Sequence, residues 1–287
     1  MFYMILTLNT HFFHYQECES FQIKRCQRKM KIKAVMIDLS GTVHVGTNLL
    51  PGAKEAIVKL KSAKVPIKYV TNTSKESKTS LIRRLKSAGL HIDKDEVFTS
   101  LSAARNYIIS QNIRPLLLLE KEALEDFEGI ETESPNSVVV GLAPTQFHYE
   151  KMNEAFNLIK SGGSLVAINK SRYYKSEKGL SIGTGAFVSA LEFSTDCKAY
   201  VVGKPEKNFF HLALKDFMND LKPIEVLVAG DDIRDDVLGA QKAGLQGALI
   251  KTGKYQEGDE DRFGEPNYLF ENLEEMADYV IDQFSDP

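Results

Sequence analysis

Four strand-like runs in this 287-residue chain end in side chains that can do chemistry. Residues 33–37 lead to Asp38, 66–70 to Thr71, 199–202 through Gly203 to Lys204, and 225–229 through Gly230 to Asp231. In one parallel sheet the carboxyl ends of all strands share an edge, so these four side chains are expected to converge. Asp38 and Asp231, with one or two of Asp232, Asp235 and Asp236, then bring several anions within a few ångströms. Two like charges about 4 Å apart repel by roughly 4 kcal/mol at an effective dielectric near 20, so a cation has to sit among them. Oxygen-only ligands, with no histidine or cysteine at matching positions, point to Mg²⁺, which binds through a few carboxylates and a substrate phosphate. Lys204 adds a fixed positive charge. Such a site suits a phosphoryl group: the Thr71 hydroxyl and nearby backbone N–H groups hold its oxygens, and Asp38 attacks phosphorus to give an aspartyl-phosphate.

Taken singly, each residue has a plainer reading. Asp38 fits a turn or helix cap as well as a catalytic carboxylate, Lys204 fits a solvated loop lysine, and Asp235 and Asp236 fit a first helical turn that satisfies the dipole. The functional reading rests on the set. Of the six histidines none has motif spacing, and only His44 follows the Asp38 segment closely enough to approach the site. Gly183-Thr184-Gly185 lacks the third glycine of a dinucleotide loop and reads as the place where the chain re-enters the core.

The elements that must position these residues alternate between strand and helix. After Thr42, Ala53, Ala56, Ile57, Leu60 and Ala63 recur at helical spacing, and 66–70 is a second strand, which makes a βαβ unit. Thr73 and Glu76 have capping-box spacing ahead of a helix with Leu81, Ile82, Leu85 and Ala88 on one face. From about 114 the pattern restarts with strands at 115–119, 137–140 and 164–168, a helix through Met152, Ala155, Phe156 and Ile159, and a polar loop over 169–178. The last part returns to strand, loop and helix, ending in a strand at 248–251 and a helix near 273–284.

Composition bounds the rest. With 43% hydrophobic residues the chain can build a real core, and 36 basic against 39 acidic residues argue against a nucleic-acid or anionic-membrane surface. No run reaches membrane-spanning length. Cys18, Cys26 and Cys197 lack zinc or CxxC spacing and fit a reducing, cytoplasmic setting. Residues 1–29 run apolar first and basic second, the wrong order for a signal peptide, and are expected to be a poorly ordered extension.

Asp38-x-x-Gly41-Thr42, Thr71-Asn72, Gly203-Lys204-Pro205 and Gly230-Asp231 with Asp236 resemble the four ordered motifs of the haloacid dehalogenase superfamily of phosphohydrolases. The match covers about residue 31 to the C-terminus, and the set is specific although each motif alone is weak. The resemblance implies a Rossmann-like parallel-sheet α/β core at 30–113 and 181–287, with an inserted smaller α/β cap of the C2 type at 114–180, as in the nitrophenylphosphatase-like branch. It makes Asp38 the nucleophile and a Mg²⁺ ligand, Ser40 a ligand through its carbonyl and Asp231 the second carboxylate ligand, with Asp236 behind them. Asp38, Leu39, Ser40, Thr71, Asn72 and Lys204 would line a small phosphorylated substrate, and Asn169, Arg172 and Tyr173 would face it from the cap. Cap-mediated homodimers are common in such proteins, but no interface is legible here.

One position departs from the general pattern. Most phosphatases of the superfamily carry a second Asp two residues after the nucleophile, which protonates the leaving group and later activates water; this chain has Ser40. General acid–base help is worth about 10² to 10⁴ in rate. The narrower sub-branch within that group to which the resemblance is strongest also carries Ser there, and slow turnover favouring pyrophosphate, aryl phosphates or phosphoramidates is expected. The second class of function consistent with the residues is a catalytically weak member that binds a phosphorylated ligand or a protein.

Overall fold

The computed structural model describes residues 31–218 and 220–285, and the expected extension at 1–29 lies outside the described residues. The chain opens with β1 (Ala34–Asp38), a small hairpin of β2 (His44–Val45) and β3 (Asn48–Leu49), α1 (Ala53–Ser62), β4 (Ile67–Thr71), α2 (Lys78–Ser87), β5 (Val97–Thr99) and α3 (Ser100–Ser110). A second series follows: β6 (Pro115–Leu118), β7 (Ser137–Val140), α4 (Tyr149–Lys160), β8 (Ser164–Ala167), a hairpin of β9 (Tyr173–Ser176) and β10 (Gly179–Ile182), α5 (Thr184–Thr195) and β11 (Tyr200–Val201). The chain then returns through α6 (Lys207–Phe217), β12 (Val226–Gly230), β13 (Gln246–Ile250), β14 (Tyr268–Phe270) and a C-terminal helix, Leu273–Ser285.

Two parallel sheets result. The larger has the order β14-β13-β12-β1-β4-β5, and the smaller β11-β8-β7-β6. Period-two alternation sorts the side chains of each strand between layers. Val35 and Ile37 of β1 face a cluster with Ala56, Leu60, Leu81 and Met276, from α1, α2 and the C-terminal helix. Ala34 and Met36 face the other way, onto Leu101, Phe209 and Phe210 of α3 and α6. The same cluster takes in Val139 and Val166 of the smaller sheet, whereas Val138 and Val140 turn to Ala155 and Leu191 of α4 and α5. The two sheets thus share one apolar layer, and burying Phe209 and Phe210 there contributes about 1.5–3 kcal/mol each.

Several sequence expectations change. The strand before Lys204 belongs to the smaller sheet, where Tyr200 and Val201 pair with Val166 and Ala167 of β8. That sheet therefore reaches past residue 180, where the inserted unit was expected to end. Gly183 and Gly185 lie at the start of α5, where an added Cβ would strike the carbonyls of Ser171 and Lys170, so they serve close packing inside the second unit. The 169–178 segment contains β9 and most of the hairpin turn. Helix α2 is capped by Ser77, whose Oγ accepts from the Ser80 N–H at 3.1 Å. Thr73 and Glu76 are engaged elsewhere, with Thr71 and Arg84. Among the described residues no helix is long and apolar enough to cross a membrane.

Candidate active site

β1 is buried along its whole length, and Asp38 is its first polar side chain, 4% exposed at the carboxyl edge of the larger sheet. The chain then turns through Gly41 at φ +104°, a conformation that suits glycine. The turn also needs the missing side chain: a Cβ on Gly41 or on Gly253 would come within 2.1 Å of Asp231 Oδ2. Asp231, delivered just after β12, is thereby sunk between two glycine backbones, with Oδ2 accepting from the Lys254 N–H at 2.7 Å and Oδ1 from Thr42 Oγ1 at 3.3 Å.

Lys204 arrives from the smaller sheet and is 2% exposed. Its Nζ donates to Asp38 Oδ1 at 2.5 Å, to Asp236 Oδ1 at 2.6 Å and to the Val70 carbonyl at 3.2 Å, which uses all three of its protons. Burial alone would drive its proton off, but Asp236 and Asp38 outweigh that and hold its pKa above the usual lysine value. Asp236 completes the loop by accepting from the Asp232 N–H at 3.2 Å. The cap of this π-helical turn, Ile233–Leu238, is Asp232, which accepts from the Arg234 and Asp235 N–H groups; Asp235 and Asp236 do not share that task.

Charge at the site does not balance. Asp38, Asp231, Asp232, Asp235 and Asp236 are five carboxylates; Lys204 and Lys254 are the ammonium groups in contact with them. Burial, with the Asp38 charge adding to it, pushes the Asp231 carboxyl up to about 7 despite Lys254, and burial raises Asp236 well above the carboxylate range. Burial and the charge of Asp232 push Asp235 up to about 6. Asp232 is held low against burial by Lys254 and two backbone N–H groups. One oxygen from each of Asp38, Asp231 and Asp236 lies within 4.8 Å of the others, and Asp38 Oδ2 is buried with no hydrogen-bond partner. An oxygen-only cluster with an unpartnered carboxylate oxygen and excess negative charge fits a hard divalent cation.

The sequence model of the haloacid dehalogenase-like hydrolase family matches residues 35–133, and the HAD-hydrolase-like model matches 201–276. Over 251 residues the chain is 51% identical to haloacid dehalogenase-like hydrolase domain-containing protein 2 of Rattus norvegicus, covering 87% of this chain and 96% of the relative. The chain belongs to the haloacid dehalogenase-like hydrolase family. This hydrolase is also 36% identical, over 80% of its own length and 87% of the relative's, to the Xenopus laevis phospholysine phosphohistidine inorganic pyrophosphate phosphatase. Its fold matches the crystal structure of a Thermotoga maritima 4-nitrophenylphosphatase with a TM-score of 0.80 at 27% identity, over 87% of this chain and 98% of that one. The inserted unit corresponds to the cap of such structures.

Around the carboxylates of the hydrolase lies a cleft of about 900 Å³, lined by Asp38, Ser40, His44, Thr71, Lys204 and Asp231 and closed above by Tyr174 to Lys178 of the hairpin. Thr71 is fully buried and its Oγ1 is bonded to Thr73. The Leu39 side chain lies in the core beneath β1, so only its backbone can reach a substrate. Asn72 lines the cleft, but both polar atoms of its side chain bond the backbone of Lys204. Asn169 is likewise engaged, by Asn72, Ser74 and Ser171. Arg172 and Tyr173 line a separate cavity of about 260 Å³ behind the Asp232–Asp235 turn. The change falls between Tyr173 and Tyr174: from Tyr174 onward the hairpin lines the main cleft, with Lys75 Nζ 5.8 Å from the Tyr174 ring centre.

Two residues at the site escaped the sequence reading. Lys254 follows β13, whose end shares the edge of β1 and β12, so the strand-end rule that picked out Asp231 applied to it as well. Ser171 donates to Asp235 at 2.9 Å, a contact across 64 residues that no local pattern announces.

Proposed function

We propose that this hydrolase is a Mg²⁺-dependent phosphatase that forms an aspartyl-phosphate on Asp38. The observation that carries the reading is Asp38 itself: Lys204 grips one of its oxygens, the other is buried and unpartnered, and Asp231 lies within ligand distance. Asp38, Asp231 and the Ser40 carbonyl would hold the ion, which supplies positive charge to the transferring phosphoryl group. Lys204 fixes the Asp38 carboxylate and adds a second charge beside the phosphate oxygens. Thr71, at the end of β4, lines the cleft, and its hydroxyl would reach the same oxygens by giving up its bond to Thr73 Oγ1. Asp38 displaces the leaving group to give the acyl phosphate, and water then attacks phosphorus to release phosphate and restore the carboxylate.

The substrate proposed is a small phosphorylated compound whose leaving group needs little protonation, such as pyrophosphate, an aryl phosphate or a phosphoramidate. Support comes from Ser40, which lines the cleft where a second carboxyl group stands in most phosphatases of this family, and from the pyrophosphate and nitrophenyl phosphate named for the relatives above. A screen of phosphorylated compounds with Mg²⁺, run on the wild type and on Asp38→Asn, tests the reading. Activity is expected for the wild type and a loss of about 10³-fold or more for Asp38→Asn. Activity that survives the substitution excludes the mechanism, and no hydrolysis of any compound by the wild type favours a phospho-ligand-binding role.

A further inference from the structure

The site is assembled from two sheets, and one side chain joins them. Asn72 leaves the carboxyl end of β4 in the larger sheet, whereas Lys204 leaves the end of β11 in the smaller one. The Asn72 amide meets the Lys204 peptide as a strand would: Oδ1 accepts the Lys204 N–H at 2.9 Å, and Nδ2 donates to the Lys204 carbonyl at 3.0 Å. Such a two-point contact fixes both the position and the direction of the backbone from which the buried ammonium group extends.

Asn72 is itself held. Its carbonyl accepts from Asn169 Nδ2 at 2.9 Å; the same Nδ2 lies 3.3 Å from Ser74 Oγ, and Asn169 Oδ1 accepts from the Ser171 N–H. Asn169 follows β8, the neighbour of β11. The smaller sheet therefore grips Asn72 from one strand end while Asn72 grips the next. Gly203 belongs to the same joint, because a Cβ there would stand 2.5 Å from Asn72 Oδ1 and 2.4 Å from the Ile168 carbonyl. The glycine in Gly203-Lys204-Pro205 is what lets the amide approach.

We infer that the Asn72 side chain is a positioning group for Lys204, the joint that docks the ammonium group of the smaller sheet onto Asp38 of the larger, rather than a contact to the phosphate. The inference rests on the proposed role of Lys204 and deepens it. A misplacement of about 1 Å in a reacting constellation costs on the order of 10²-fold in rate. Loss of the joint therefore lowers kcat through Lys204, whereas loss of a phosphate contact in the bound state raises KM.

A double-mutant cycle tests this. Asn72→Ala and Asn169→Ala are each made in the wild type and in Lys204→Ala, assayed with 4-nitrophenyl phosphate and Mg²⁺, and checked for folding by thermal melting. Asn72→Ala is expected to lower kcat about 10²-fold with KM changed less than about threefold, and Asn169→Ala, at the far end of the joint, to lower kcat less. In the Lys204→Ala background neither should cost more than about twofold, since the group they position is gone. An Asn72→Ala loss of the same size in both backgrounds, or one carried by KM, overturns the inference and leaves the proposed mechanism standing. Wild-type activity in Lys204→Ala overturns both. Should Asn72→Ala fail to fold, the Asn169→Ala arm alone decides, by whether its kcat loss disappears in Lys204→Ala.

Discussion

Lys204 Nζ stands 2.5 Å from Asp38 Oδ1 although the two residues arrive on different sheets. The ammonium group is shared with Asp236 at 2.6 Å and has almost no access to water, so a single charge faces two buried acids at once. Removing one partner of a buried ion pair typically costs about 3–5 kcal/mol, because the charges left behind are neither solvated nor paired.

Lys204→Met is accordingly expected to lower both activity and stability. The loss of kcat should reach about 10² to 10³-fold, the size seen when a group that stabilises developing charge is removed. The loss of stability, read from urea unfolding at pH 7.5, should shrink as the pH is lowered and the stranded carboxyls take up protons. Unchanged stability at pH 7.5 would show that the pair is not formed in solution.

This relationship also marks how far the residues could be read without the structure. β1 and β12 announce themselves as apolar runs ending in Asp38 and Asp231, because a strand covered on both faces must be apolar throughout. β11 is two residues long, and which sheet it joins depends on pairing with β8, more than thirty positions away, so the placement of Lys204 was beyond local pattern. Tyr173 and Tyr174 are neighbours that line different cavities, a division set by how the hairpin sits on the core and not by any local pattern. The joint at Asn72 depends on a distance of 132 residues and leaves no periodic trace.

Metal binding should be visible in stability as well as in activity. Without a cation the folded state keeps a proton on Asp231 up to about pH 7, whereas an unfolded aspartate loses it near 3.8. The folded state therefore binds more protons in that window, and Asp231 makes the metal-free protein less stable as the pH rises through it. Mg²⁺ should displace that proton, so the rise in Tm on adding Mg²⁺ is expected to grow between pH 6 and pH 8. At 100 times the Kd the gain is about 2.7 kcal/mol, or several degrees. Asp231→Asn should abolish the shift; an undiminished shift in that variant would remove Asp231 from the ligand set.

His44 gives a separate acid response. Burial, helped by the nearby Arg84 charge, lowers its pKa to about 4, and it is 3% exposed with Nδ1 3.1 Å from the Gly46 carbonyl. Unfolded histidine takes up a proton near 6.5, so below that pH the unfolded state gains protons that the folded state refuses. Stability from this residue is full above pH 6.5 and drains away as the pH falls toward 4, by up to about 3 kcal/mol at 1.36 kcal/mol per pKa unit. His44→Asn, which cannot titrate, should flatten the profile of urea midpoint against pH over that range. Parallel profiles for the two proteins would show that His44 is free to charge in the folded state.

Ser40 should govern which phosphates are hydrolysed. It lines the cleft beside Asp38 and brings no carboxyl group to protonate a departing oxygen. A serine hydroxyl without a base does not shuttle protons near neutral pH, so the leaving group must depart largely as the anion and the rate should fall as its pKa climbs. Across a series of aryl and alkyl phosphates, log(kcat/KM) is expected to decline steeply with leaving-group pKa in the wild type. Ser40→Asp restores a group able to give and take a proton at that position, and should flatten the slope and raise rates on alkyl phosphates by about 10²-fold or more. A flat wild-type slope would mean that another side chain supplies the proton, and Asp235, which lines the same cleft with its carboxyl pushed up to about 6, would be the first to substitute.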